Sequence, residues 1–139
     1  MWVKRIYLYL YFILLYIKKL SKLNKHAKIV CKTLFKDLID VNKGDSSIKF
    51  FRKDLTTKTI WLFILKSYGN KKVINIEDIA RGISKTSRIS KPSLRLILEN
   101  AKAKGFIKFT HNTCNHRSWI VEPETISINE MNEWTKKLV

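Results

Sequence analysis

The chain is poor in the residues that usually announce chemistry. Two cysteines, Cys31 and Cys114, stand far apart and form no disulfide framework, so a reduced, cytoplasmic setting is expected. Four isolated glycines provide no phosphate-binding loop. No G-x-S-x-G or H-E-x-x-H occurs, and Glu77 and Asp78, adjacent on one predicted helix, point different ways rather than forming an acid–base pair. The expectation is a protein that is not an enzyme and carries no cofactor. Acid is scarce too: 11 Asp and Glu stand against 28 Lys and Arg, a formal net charge of +17.

An AT-rich coding sequence raises Lys, Ile and Asn everywhere, but this charge is not even. Residues 1–36 hold nine basic and no acidic residues, and residues 61–121 hold twelve basic and three acidic. The last eighteen residues are net −2. Charge so distributed points to an anionic partner, nucleic acid or an acidic membrane surface.

One long apolar run exists, "IYLYLYFILLYI", Ile6 to Ile17, with Lys4 and Arg5 before it and Lys18 and Lys19 after. As a helix it spans roughly 18 Å, short of the ~30 Å hydrocarbon core. Tyr7, Tyr9 and Tyr11 alternate with Leu8 and Leu10, which also fits a strand. Three readings stand: a helix against a partner subunit, contact of residues 6–17 with a membrane surface, or an upstream extension from a misplaced start. From Lys18 to Val41 the apolar residues keep helical spacing, with lysines on the other face. "NKGDSS", Asn42 to Ser47, reads as a linker. The expected division is a helical arm, 1–46, used for dimerisation or membrane contact, and a second domain, 47–139.

In the second domain, Thr56 or Thr57 is expected to cap a helix whose Ile60–Leu65 stretch is apolar nearly all round, so that it is central to the core, and Gly69 with Asn70 to stop it. A short extended piece, Val73-Ile74, follows. "NIEDIARGI" then reads as a short helix, with Asn75 and Asp78 an approximate capping box. After the polar turn "SKTSR", Ser90 caps a helix with Pro92 in its first turn and Leu94, Ile97, Leu98 and Ala101 inward. Gly105 ends it, and strand-like Phe106–Phe109 and Trp119–Val121 enclose a polar loop. The fold class is mainly α with a small β-hairpin (α+β): a winged helix-turn-helix with an N-terminal helical extension.

Over about residues 56–123 the sequence resembles the MarR-like winged-helix transcription regulators. "INIEDIARGIS", "LENAKAKGFIKF" and "NHRSWIVEP" carry the resemblance. In that family the wing often has Asp-x-Arg. Here Asn115 replaces the Asp and Arg117 matches the Arg, and Ala101 replaces a usual Leu. The resemblance implies a sequence-specific regulator of transcription, bound to double-stranded DNA as a homodimer joined by helices at both chain ends. The apolar N-terminal region and "SINEMNEWTKKL", with Ile128, Met131 and Trp134, are the candidates for that joint.

The first residues of a recognition helix reach base edges. Here they are Ser90, Lys91, Ser93 and Arg95, in a helix over about 90–104, with Leu96 facing a thymine methyl. Lys85, Thr86, Ser87 and Arg88 in the turn suit phosphate. Arg117 belongs to the wing, about 110–118, at the backbone or minor groove. His111, Cys114 and His116 have a spacing that suits a soft metal but lack a fourth ligand, and Cys114 alone could sense redox state; polar loop residues are the plainer reading. Two alternatives remain: a membrane-surface-associated basic protein whose winged helix docks proteins, and a winged helix used for protein contacts alone.

Overall fold

The computed structural model describes residues 2–20, 23–39, 46–113 and 118–138. The chain divides into two compact units, Met1–Asn42 with Lys136–Val139, and Lys43–Thr135.

The first unit holds α1 (Trp2–Leu20) and α2 (Lys25–Ile39). The apolar run is therefore helix, not strand, and its helix is longer than the run itself. The single amphipathic helix expected from Lys18 to Val41 is broken. Asn24 breaks it, its side-chain oxygen accepting the Ala27 amide at 2.7 Å and capping α2. Among the described residues no helix is long and apolar enough to cross a membrane.

The second unit runs α3 (Ser47–Phe51), α4 (Leu55–Gly69), α5 (Ile76–Ile83), α6 (Lys91–Ala103), β1 (Ile107–His111), β2 (Trp119–Pro123) and α7 (Thr125–Lys136). Helix α3 has no counterpart in the sequence reading. It sets the Phe51 ring flat on the Trp61 ring of α4, centroids 4.3 Å apart. Ser47 donates its amide and hydroxyl to Glu130 Oε2 of α7, at 2.8 and 2.9 Å.

Asp54, rather than Thr56 or Thr57, caps α4, accepting from the Thr57 amide at 2.7 Å and the Thr57 hydroxyl at 3.0 Å. These bonds, the amide bond first, hold the Asp54 carboxyl below its usual range. Helix α4 is central to the core, as expected, through Ile60, Trp61 and Ile64, while Leu62 is half exposed. It ends where expected, at Gly69 with Asn70 as its C-cap. Lys71 takes the left-handed conformation, φ 56°, while the Lys72 amide donates to Ser67 O and the Lys71 amide to Tyr68 O. That is a Schellman end with lysine where glycine is preferred.

The expected capping box of α5 is complete: Asn75 Oδ1 accepts the Asp78 amide, and Asp78 Oδ2 accepts the Asn75 amide. Ser90 caps α6, and Gly105, φ 78°, ends it in a second Schellman motif with Phe106 N bonded to Ala101 O. The chain passes at once into β1, which pairs antiparallel with β2 from Ile107↔Pro123 to His111↔Trp119. Ile74 O accepts the Val121 amide, and Asn75 bridges Ile120, so the extended piece before α5 borders the hairpin. One core joins these elements: Ile79 and Ile83 of α5, Leu94, Leu98 and Ala101 of α6, Ile107 and Val121 of the hairpin, and Ile60 and Ile64 of α4. A helix pair backed by α4, with a hairpin issuing from the second helix, is a winged helix-turn-helix.

Candidate nucleic-acid interface

Burial of one face of α6 fixes what the other presents. Leu94, Leu98 and Ala101 are inaccessible, so Lys91, Ser93, Arg95 and Leu96 must face out, and all four are exposed. Around them lies a shallow cleft lined by Asn75, Glu77, Pro92, Arg95, Ser118 and Trp119. It brings the start of α5, the start of α6 and the base of the wing to one place.

The structure separates the expected contact residues by what already holds them. Lys85 and Arg88 are exposed and form no ion pair among the described residues. The Thr86 hydroxyl donates to Ile83 O at 3.1 Å. The Ser87 and Thr56 hydroxyls bond at 3.0 Å and tie the turn to α4. Ser90 Oγ accepts the Ser93 amide at 3.3 Å and donates to Ser93 Oγ at 2.8 Å. These hydroxyls thus shape the turn and the helix start, and each oxygen can still accept a further hydrogen bond.

Two cations are held by acids to which the sequence reading gave no such role. Lys91 Nζ lies 2.7 Å from Glu77 Oε1 of α5, and Arg95 Nε lies 3.6 Å from Glu99 Oε1. The second pair, four apart on one helix, was legible as a spacing. The first, between two helices, was not. Trp119 was read only as a strand residue; it is exposed at the wing base with the His111 ring edge-on to it, centroids 5.1 Å apart. Asn112 Nδ2 donates to Ser118 Oγ at 3.2 Å, closing the loop ends. Arg117, Asn115, Cys114 and His116 lie outside the described residues. Among the described residues no group of three or more His, Cys, Asp or Glu could hold a metal.

The elements and their exposed helix define a winged-helix module. No family model matches the chain, and no curated protein sequence matches it. Among solved structures it is similar to YusO of Bacillus subtilis, with 17% identity and a TM-score of 0.49 over 93% of this chain and 74% of that one. It is also similar to apo MarR of E. coli, with 12% identity and a TM-score of 0.47 over 80% and 71% of the two chains. A third is the adhesin competence repressor AdcR of Streptococcus pyogenes, at 15% identity, a TM-score of 0.44 and coverage of 81% and 72%.

Proposed function

We propose that the protein binds double-stranded DNA as a transcription regulator, with α6 in the major groove and the wing at the backbone or minor groove. The observation that carries this reading is the first half of α6. It stands on a fully buried face and turns Lys91, Ser93, Arg95 and Leu96 outward together. The major groove admits a helix presented in this way, and the first residues of that helix reach base edges. Lys85 and Arg88 then lie where phosphates run, and Thr86 and Ser87 offer hydroxyl oxygens and backbone beside them. Arg95 can exchange its long contact with Glu99 for a guanine edge or a phosphate. Arg117, which lies between the two strands in sequence, is proposed as a further contact. The role is binding rather than catalysis.

A homodimer is part of the proposal, since two copies of α6 would meet half-sites one turn apart. Light scattering of the full chain reads the oligomeric state. The test of the interface is Lys91→Ala with Arg95→Ala, both side chains being exposed and outside the core. We expect binding to a random-sequence duplex to weaken by roughly tenfold or more, on the basis of two lost phosphate or base contacts. Unchanged binding by a folded double variant would refute the assignment of α6.

A further inference from the structure

Helix α2 carries its charge on one side. Lys25, Lys28, Lys32 and Lys36 succeed one another at steps of three, four and four, which at about 100° per residue confines them to about 80° of arc. All four are exposed, and none forms an ion pair among the described residues. The half-buried residues of the helix, Ala27, Val30, Thr33, Leu34 and Asp37, centre roughly 160° away, so the side that the protein itself covers in part is the opposite one. Ile29 and Phe35 border the line, and Ile39 continues it past Lys36. An ordinary solvated helix face relieves such charge with acids three or four residues away. Here residues 1–36 contain no acid, and Asp37, the first, lies on the half-buried side. Like charges at these spacings destabilise a helix, and Lys25 and Lys28 stand at its N-terminal end, where the dipole disfavours cations. The line is therefore held against the helix's own preferences, and an anionic partner relieves both effects.

Four lysines on one line extend over about 16 Å of helix. A polyanion with charges fixed at close, regular intervals matches such a line, and duplex DNA presents roughly five phosphates of one strand over that length. A bilayer matches it less well. A helix bound there sinks its apolar side into the lipid, and the side of α2 opposite the lysines is partly covered within the protein. We propose that the lysine line of α2 is a second DNA-binding surface, one that holds the phosphate backbone without regard to sequence. The proposal rests on the reading of α6 as the recognition helix. Phosphates taken by the winged helix are closed to α2, so the line engages duplex beyond the winged-helix site. It adds affinity and a longer footprint rather than specificity.

The test compares the full chain with a variant carrying Lys25→Gln, Lys28→Gln, Lys32→Gln and Lys36→Gln. A second variant carries Lys25→Arg, Lys28→Arg, Lys32→Arg and Lys36→Arg, which keep the charge. All four side chains are exposed, and circular dichroism checks that the helices persist. Fluorescence anisotropy reads binding at several salt concentrations to a duplex of about one helical turn, roughly 10 base pairs, and to one about three times longer. On the short duplex the winged-helix cations alone set the salt slope, and the three chains should agree. On the long duplex we expect the glutamine variant's slope to be shallower than the natural chain's by about 3 to 4 per protomer, and its binding at low salt to be at least about tenfold weaker. The arginine variant should match the natural chain. The proposal is overturned, with the α6 reading intact, if all chains bind the short duplex and the glutamine variant keeps the natural slope on the long one. It is overturned too if the arginine variant loses the slope as well, or if the glutamine variant loses as much on the short duplex. A natural chain that binds neither duplex overturns both readings. Binding to vesicles of phosphatidylcholine and phosphatidylglycerol that needs the four lysines, when long-duplex binding does not, assigns the line to lipid and overturns the proposal.

Discussion

Glu77 is the residue whose removal most sharply tests the geometry of the α5–α6 surface. Its carboxylate meets the Lys91 ammonium at 2.7 Å, with both side chains more than half exposed. Such a pair contributes about 0.2–1 kcal/mol to stability. Glu77 also sits in the first turn of α5, where an acid contributes about 0.3–1 kcal/mol through the helix dipole. Glu77→Gln keeps the shape and should therefore lower stability by only about 1 kcal/mol. Its effect on DNA has the opposite sign. A phosphate about 7 Å from the carboxylate is repelled by about 0.6 kcal/mol in water before screening, and Lys91 is released to contact phosphate. Together these amount to about 1 kcal/mol, or roughly fivefold tighter binding at low salt, with a salt slope steeper by up to about 0.9. Fluorescence anisotropy on a random duplex at several salt concentrations reads both quantities. Glu133→Gln, on α7, removes the same net charge and should change binding much less. Unchanged or weaker binding by Glu77→Gln, or an equal gain in Glu133→Gln, would refute the placement of Lys91 at the interface.

Other consequences concern stability. A Cβ added at Gly82 would lie 2.2 Å from Phe63 Cε2, far inside ordinary contact, so Gly82→Ala should cost a net ~1–2 kcal/mol in urea unfolding despite the helix propensity of alanine; Phe63→Leu in the same chain should recover part of the loss. Lys71 holds a left-handed conformation that glycine adopts freely, so Lys71→Gly should raise stability by about 0.5–1 kcal/mol, and a lower urea midpoint would contradict the assigned helix end. The Asp54 carboxyl is held below its usual range, chiefly by the Thr57 amide, so its contribution is present above the unfolded-state carboxylate pKa and is lost as pH falls through the lower folded value. Asp54→Ala should accordingly cost about 1 kcal/mol at neutral pH and progressively less on acidification.

Where one residue's local chemistry decides the structure, the sequence was readable. Asn75 with Asp78, Ser90 before Pro92, and Gly105 between a helix and a strand each act within a few positions, and each appears as expected. Errors arose where two local signals competed. Thr57 has capping chemistry but sits inside α4, because Asp54 accepts both its amide and its hydroxyl. Gly69 and Asn70 do end α4, but the left-handed residue after them is Lys71 rather than a glycine. Apolar spacing continues across the break at Asn24, so periodicity alone ran Lys18–Leu20, the end of α1, into α2. Helix α3 is five residues long, too short to show a period, and is secured by contacts with Trp61 and Glu130 that lie far along the chain. The candidate interface was legible as a set of exposed basic and hydroxyl residues. Their internal partners were not, because Lys91 with Glu77 and Ser87 with Thr56 meet only once the helices pack.

The measurement that bears most directly on the central claim is the salt dependence of duplex binding by the full chain. Lys85, Arg88, Lys91, Arg95 and Arg117 would each displace a counterion, so log K should fall against log salt with a slope of about −4 to −5 per protomer. Replacing Lys85 and Arg88 by alanine should reduce that slope by nearly 2. A slope near zero, or one that the two substitutions leave untouched, would contradict DNA recognition through this face of the winged helix.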